Sequence, residues 1–217
     1  MPRRRPETPR PLAPEEVGRL LHVSRETLDR LAIYVGLLER WQRAINLVGS
    51  STLADPWRRH VLDSGQLWRF WPSGAQRLVD VGSGAGLPGL ILAILGAPET
   101  HLIESDRRKA SFLREAARAC GVSVTVHAQR IENVQPLAAD VVTARALAPL
   151  PQLLAMAAPH VQPCTTYLLL KGRGVAGELT LARESWTMRV VPERSLSDPD
   201  GHVLIISEVR RVASPSA

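Results

Sequence analysis

Arg77-Leu78-Val79-Asp80-Val81-Gly82-Ser83-Gly84-Ala85-Gly86-Leu87-Pro88-Gly89 is the stretch on which the fold turns. A short apolar run leads into four glycines within eight positions. Glycine gives up its side chain and gains access to positive φ, so a run of this kind lets the backbone come close to something else. Pro88 suits the first turn of a helix, where a missing N–H costs nothing. The pattern predicts a strand, a bare tight loop and a helix whose free N–H groups face a ligand. That is a nucleotide-type cofactor site at the carboxyl end of a parallel strand.

Three ligands compete for such a loop. A phosphate loop of the NTPase kind needs Lys and then Ser or Thr after its last glycine, and here Gly89 is followed by Leu90-Ile91. A dinucleotide loop needs G-x-G-x-x-G, which Gly84 to Gly89 match literally. A methyl-donor loop places an acid at the strand end before alternating glycines, as in Asp80-Val81-Gly82-Ser83-Gly84-Ala85-Gly86. S-adenosylmethionine carries a cationic sulfonium and amine but no phosphate. A carboxylate at Asp80 suits that cation, directly or through water, and repels a pyrophosphate. Glu104 ends the next predicted strand, and a carboxylate there can accept hydrogen bonds from both ribose hydroxyls. NAD is held the same way, so Glu104 supports both readings, and Asp106 is the neighbouring candidate. After the third strand, Ile131 could cover an adenine face and Glu132 or a backbone N–H could meet its amino edge; taken alone, the Ile-Glu pair reads as an ordinary loop or helix start.

Around this loop the chain divides in two. Residues 1–13 are rich in Pro and Arg and are expected to be a disordered basic tail. Residues 14–72 read as helical. Ser24 suits an N-cap, and Leu28, Leu31, Val35, Leu38, Trp41 and Ile45 follow at helical spacing. Asp55-Pro56 heads a third helix that carries Trp57, Val61, Leu62, Leu67, Trp68 and Trp71. Residues 73–212 alternate strands with helices. Strands are predicted at 77–81, 100–104, 122–126, 139–143, 166–171, 186–192 and 202–210. Helices are predicted at 88–96, 107–119, 147–160 and 174–184. The alternation argues for a parallel sheet with helices on both faces; the last two strands, with no helix between them, suggest an antiparallel edge. Residues 213–217 are expected to fray.

Composition narrows the partners. With 45% hydrophobic and 22% charged residues the chain reads as a soluble globular protein. No apolar run approaches the roughly 20 residues of a membrane helix, and MPRRRPETPRP lacks the apolar segment of a secretory leader. A net charge of +6, carried almost wholly by arginine, favours a polyanionic partner such as nucleic acid. Cys120 and Cys164 are too far apart to suggest a metal or redox motif, and both are expected to be buried. No metal set is expected.

His60 and Asp63 lie three apart on one helix face. They are expected to dock the helical region against the sheet. Arg145, just after the fourth strand, either lines the ligand site or pairs with an acid to hold a loop. The helical spacing of the tryptophans points to core packing rather than base stacking.

The sequence resembles the RsmG (GidB) family. The resemblance is carried, in order, by Trp41-Gln42-Arg43-Ala44-Ile45-Asn46-Leu47, Arg59-His60-Val61-Leu62-Asp63-Ser64, DVGSGAGLPG, Glu104-Ser105, Arg108-Lys109-Ala110-Ser111-Phe112-Leu113, Arg130-Ile131-Glu132, Arg145-Ala146 and Lys171-Gly172. It implies a doubly wound, seven-stranded, Rossmann-like class I methyltransferase sheet with an N-terminal helical extension. It also implies S-adenosyl-L-methionine as cofactor and methylation of a guanine N7 in 16S ribosomal RNA, near the decoding site. Carried over by position, Gly82, Leu87, Glu104, Ser105, Asp106, Ile131, Glu132 and Arg145 are cofactor contacts, beside Asp80, Gly84 and Gly86 of the turn. Arg108, Arg130 and Lys171 fall at RNA or target-base positions. The chain departs from the family at Val48, where Thr is usual, and at Gly201, where a basic residue often precedes His202.

The implied partner is 16S ribosomal RNA or a small-subunit particle, met by a cytoplasmic monomer with no membrane association. Two other classes stay open: a non-catalytic RNA-binding module with a vestigial cofactor loop, and an NAD-dependent oxidoreductase.

Overall fold

The structure is a computed structural model that describes residues 10–212. The Arg3-Arg4-Arg5 segment and the Pro-Ser end therefore lie outside the described residues. Residues 10–13, expected in the tail, are tied down. The Leu12 N–H donates to Asp55 Oδ1 at 3.1 Å, and the Arg58 guanidinium donates to the Arg10 carbonyl at 2.8 Å.

Helix α1 (Pro14–Leu21) starts with Pro at its first position, and Glu16 Oε2 accepts the Ala13 N–H at 3.0 Å. Helix α2 (Arg25–Gln42) is capped by Ser24, whose Oγ accepts the Thr27 N–H. It buries Leu31, Tyr34, Val35, Leu37 and Leu38. Ile45, expected on this helix, falls beyond its end.

The third helical stretch is not one uniform helix. It winds as a π-turn (Trp57–Leu62), a single α-turn, α3 (Asp63–Gly65), and a 3-10 turn (Gln66–Phe70). A wide turn of this kind is common at functional sites. Here it sets Trp57, Val61 and Leu62 into the core while His60 and Asp63 meet the sheet.

Among the described residues, seven strands form one sheet: β1 (Arg77–Val81), β2 (Glu99–Ile103), β3 (Thr125–His127), β4 (Ala139–Arg145), β5 (Val161–Lys171), β6 (Trp186–Arg194) and β7 (His202–Arg211). Their order is β3-β2-β1-β4-β5-β7-β6. The first five run parallel, and β7 pairs antiparallel with both β5 and β6. Helices α4 (Gly89–Leu95) and α5 (Arg107–Ala119) share a core with α1 and α2 on one face. Helices α6 (Leu150–Ala157) and α7 (Val175–Arg183) cover the other. The strand order reverses between β1 and β4, so a crevice opens beyond their carboxyl ends.

Several boundaries differ from the sequence reading, three of them for a clear local reason. Strand β3 is only three residues long, because Gly121 (φ 65°) and a Val122 N–H bond to the Ala117 carbonyl are used to leave α5. Helix α6 starts at Leu150 rather than 147: Ala146 sits at φ 50°, and Pro149 is extended at ψ 150°. Pro88 precedes α4 instead of opening it.

The tryptophans pack as their spacing predicts. Trp57 is buried, Trp41 meets Phe112 edge-on, and Trp68 lies against Trp71. Cys120 is buried, and burial pushes its thiol up to about 11. Cys164 is exposed on β5, contrary to the expectation that both cysteines are buried.

Candidate active site

The crevice at the β1/β4 reversal holds a cleft of about 1020 Å³. One half is built by the glycine turn. Gly82, Gly84 and Gly86 all have positive φ. A Cβ on Gly82 would come within 2.5 Å of the movable end of Leu147, so it is the positive φ of 69° that favours glycine there. Tyr34, fully buried on α2, donates its hydroxyl to the Ala85 carbonyl at 2.8 Å and fixes the turn from behind.

Glu104 faces the turn. One carboxylate oxygen accepts the Gly84 N–H at 2.8 Å and the other accepts the Asp106 N–H at 2.7 Å. Each oxygen keeps a further lone pair for an incoming hydroxyl. This arrangement bears on the choice of ligand. The Gly84 N–H, which a phosphate loop would leave free, is already given to a carboxylate. A pyrophosphate would meet negative charge where it needs donors. A phosphate-free, cationic ligand with a ribose fits these groups.

Of the residues singled out in the sequence, Gly82, Gly84, Leu87, Glu104, Ser105, Ile131, Glu132, Arg145, Arg130 and Lys171 line the cleft. Four do not. Asp80 lies wholly buried beneath the turn, where Thr143 Oγ1 donates to its Oδ1 at 2.7 Å and Oδ2 has no partner among the described residues. Burial pushes its carboxyl up to about 6. The expected contact with the ligand cation is thus not direct: Asp80 shapes the turn. Gly86 serves packing, since a Cβ there would lie 2.6 Å from Leu90 Cβ. Asp106 caps α5, accepting the N–H groups of Arg108 and Lys109. Arg108 points to solvent, and Lys109 lines the cleft in its place.

The other half of the cleft is made where the helical extension meets the sheet. Arg145, at the end of β4, donates to the Arg59 carbonyl at 3.1 Å and lies 3.4 Å from both Asp63 Oδ2 and His60 Nδ1. Both sequence readings of Arg145 therefore hold: it lines the site and it pairs with an acid. Burial, and then the charges of Arg145 and Arg59, push His60 down to about 3. A neutral ring that accepts at Nδ1 carries its proton on Nε2, which lies 2.9 Å from Thr52 Oγ1. The Thr52 hydroxyl in turn donates to the Gly49 carbonyl at 2.6 Å.

Asp63 reaches further, because its Oδ1 accepts the Ser197 hydroxyl at 2.5 Å. Gln66 adds bonds to the Leu196 N–H and Ser195 Oγ. The turn between β6 and β7 is so docked against the mouth of the cleft, which Ser195, Asp198 and Gly201 help to line. Sequence reasoning missed these residues and Thr52, Leu147 and Glu178. Only the His60/Asp63 spacing hinted at such a network, and nothing local pointed to a turn about 130 positions away.

Lys171 ends β5. Its Nζ lies 2.6 Å from Glu178 Oε2 and 3.3 Å from the Ala148 carbonyl. It lines the cleft as half of an ion pair rather than as an open cation.

The family model described as rRNA small subunit methyltransferase G matches residues 27–201. Ribosomal RNA small subunit methyltransferase G of Rhodospirillum centenum is 59% identical over 187 residues, covering 86% of this chain and 87% of that protein. The protein of the same name from Paramagnetospirillum magneticum is 54% identical over 200 residues, covering 92% and 98%. Among solved structures, a SAM-dependent methyltransferase from Aquifex aeolicus superposes with a TM-score of 0.54 at 14% identity, over 72% of this chain and 95% of that one. TYW2 of M. jannaschii in complex with AdoMet superposes at 0.53 and 14% identity, over 69% and 76%. At such identity the structures speak for the fold alone, a seven-stranded class I methyltransferase sheet. The sequence relatives speak for the family, and its cofactor, S-adenosylmethionine, is the one the turn and Glu104 fit. The chain belongs to the rRNA small subunit methyltransferase G (GidB) family.

Proposed function

We propose that this chain methylates N7 of a guanine in 16S ribosomal RNA by direct in-line transfer, with no general base. The observation that carries this reading is the composition of the cleft: a carboxylate-bearing glycine turn opens onto the basic groups of Arg145 and Lys171. His60, which lines the cleft, is engaged at both ring nitrogens and held neutral well below pH 6. Guanine N7 carries a free lone pair at neutral pH, so its alkylation releases no proton from the reacting atom.

When bound, S-adenosylmethionine supplies an electrophilic methyl group. The residues of the chain then have to hold and align the two reactants. Glu104 grips the ribose, Ile131 covers the adenine, and Glu132 or a backbone N–H meets its amino edge. Gly82, Gly84, Leu87 and Ser105 give close backbone approach, with Asp80, Gly86 and Asp106 holding that backbone. Arg145 is locked by Asp63 and the Arg59 carbonyl, and so forms a rigid wall between the two halves. Arg130, and Arg108 at the rim, contact RNA phosphates, which position the substrate without reading its sequence. The target base is splayed from its loop to reach the methyl.

The acting unit is proposed to be a monomer, in keeping with a cleft built from segments of one chain. No helix among the described residues is long and apolar enough to cross a membrane, and a ribosomal substrate is consistent with action in the cytoplasm. Nucleoside mass spectrometry of 16S RNA from cells with and without the gene tests the reading. Loss of one 7-methylguanosine is expected; an unchanged nucleoside profile overturns it. Calorimetry separates the alternatives, because S-adenosylmethionine binding excludes a vestigial loop and NAD binding would indicate an oxidoreductase.

A further inference from the structure

Lys171 and Glu178 form a pair whose arrangement matches one nucleobase edge. Strand β5 ends at Lys171, and after a short Gly-containing turn α7 brings Glu178 back beside it. Two groups, Lys171 Nζ at 2.6 Å and the Leu150 N–H at 2.8 Å, share the single oxygen Oε2. Oε1 has no partner among the described residues, and both side chains line the cleft. His202, the cross-strand partner of Lys171, continues the same wall. Capping α6 and neutralising Lys171 therefore engage only half of the carboxylate. What the wall presents is an ammonium donor directly beside a carboxylate acceptor.

Guanine carries the complement of this pattern, an O6 acceptor directly beside an N1–H donor. Adenine carries the reverse, an N6 amine beside an N1 acceptor. Against this wall adenine would set donor to donor and acceptor to acceptor. Specificity then comes from repulsion of the wrong base as much as from attraction of the right one.

We propose that Glu178, with Lys171, reads the O6/N1–H edge of the target base and selects guanine; this rests on the guanine-N7 reading above. Glu178 is a specificity-determining residue, and the bond it makes to N1–H is formed only when the base has left its stack.

The test uses small ribosomal subunits reconstituted on 16S RNA that carries guanosine or 1-methylguanosine at the target position. 1-Methylguanosine keeps N7 and O6 but has no N1–H. With the wild-type enzyme, kcat/KM is expected to fall on the order of tenfold to a hundredfold on 1-methylguanosine. Glu178→Gln retains an oxygen for the Leu150 N–H but turns an amide donor toward the base. It should lose a similar factor on guanosine and show little further loss on 1-methylguanosine, while its affinity for S-adenosylmethionine is unchanged. Equal wild-type rates on the two bases overturn the proposal, and that measurement needs no variant. A full 1-methylguanosine penalty persisting in Glu178→Gln also overturns it. Identifying the wild-type product on guanosine as a methylguanosine other than the N7 isomer would instead overturn the parent reading.

Discussion

Asp63 and Arg145 stand 82 positions apart, and their side chains meet at 3.4 Å where the helical extension touches the end of β4. Each is about one-fifth exposed, so neither is fully solvated. Asp63 also holds the turn before β7 through Ser197. One carboxylate thus joins three separate parts of the chain around the mouth of the cleft. Arg145→Ala is expected to destabilise the fold by about 1–3 kcal/mol, since Asp63 and the Arg59 carbonyl lose a charged donor. Methylation should fall by at least about tenfold, because the wall between the two reactants is lost. Urea unfolding and single-turnover assays check both; full activity in this variant would remove Arg145 from the site.

Glu104 accepts two backbone N–H groups with two oxygens. Glu104→Gln replaces one acceptor with an amide that faces another donor. The Kd for S-adenosylmethionine is expected to rise about tenfold to a hundredfold, from the lost ribose contact and the disturbed turn. Calorimetry at constant ionic strength measures it.

Three glycines separate a packing constraint from a conformational one. A Cβ on Gly89 would lie 2.5 Å from Asp80 Cβ and 2.6 Å from Leu102 Cδ2, so Gly89→Ala should push α4 off the sheet and cost about 1–3 kcal/mol. Gly121 has open space but φ 65°, so alanine there should cost only about 1 kcal/mol of backbone strain. Gly36 is exposed in the interior of α2 with nothing within 4 Å, and Gly36→Ala should stabilise by about 0.5–1 kcal/mol. Thermal melts of the three variants rank them.

His60 gives the protein an acid-side weakness. Its folded value near 3 lies below the ordinary 6.5, so the unfolded chain binds this proton first as pH falls. Stability from this group is whole above about pH 7 and is lost progressively from about 6.5 toward 3. Asp80 acts in the opposite sense. Its folded value near 6 lies above 3.8, so its contribution is largest below about pH 4 and declines as pH rises to 6. Between pH 7 and 5 the difference in unfolding free energy between wild type and His60→Gln should shrink. Asp80→Asn should remove a slope of the other sign. A pH-independent difference in either series would contradict the burial that causes the shift.

Arg130 is exposed at the rim of the cleft. Arg130→Ala should weaken binding to the subunit about evenly across RNA sequences and lower the salt slope by about 1. Cofactor affinity should stay the same, which equilibrium binding at several salt concentrations would show; a large loss of cofactor affinity refutes the assignment.

Much of this protein is local and was therefore readable. Strands β1 and β2, helix α5, the Ser24 cap and the glycine turn follow from short-range spacing and backbone geometry. Glu104 follows too, because a carboxylate at the end of the second strand has only one place to go once the strands run parallel. Asp80 was only partly legible. Its position at the strand end was legible, but alternation along β1 could not say whether its side chain reached the cleft or the packing beneath Gly89. That depended on how closely α4 approaches the sheet.

The sequence by itself determined the fold class, the cofactor turn and the acid beside it, since these are set by residues within a few positions of one another. Tertiary structure alone decided how the residues of the substrate half of the cleft are joined. Arg145 with Asp63, Gln66 with Leu196, and the free oxygen of Glu178 depend on contacts between segments that only the packed sheet brings together. Polar side chains carry no periodicity that announces such partners, and their geometry exists only once burial has removed the competing water.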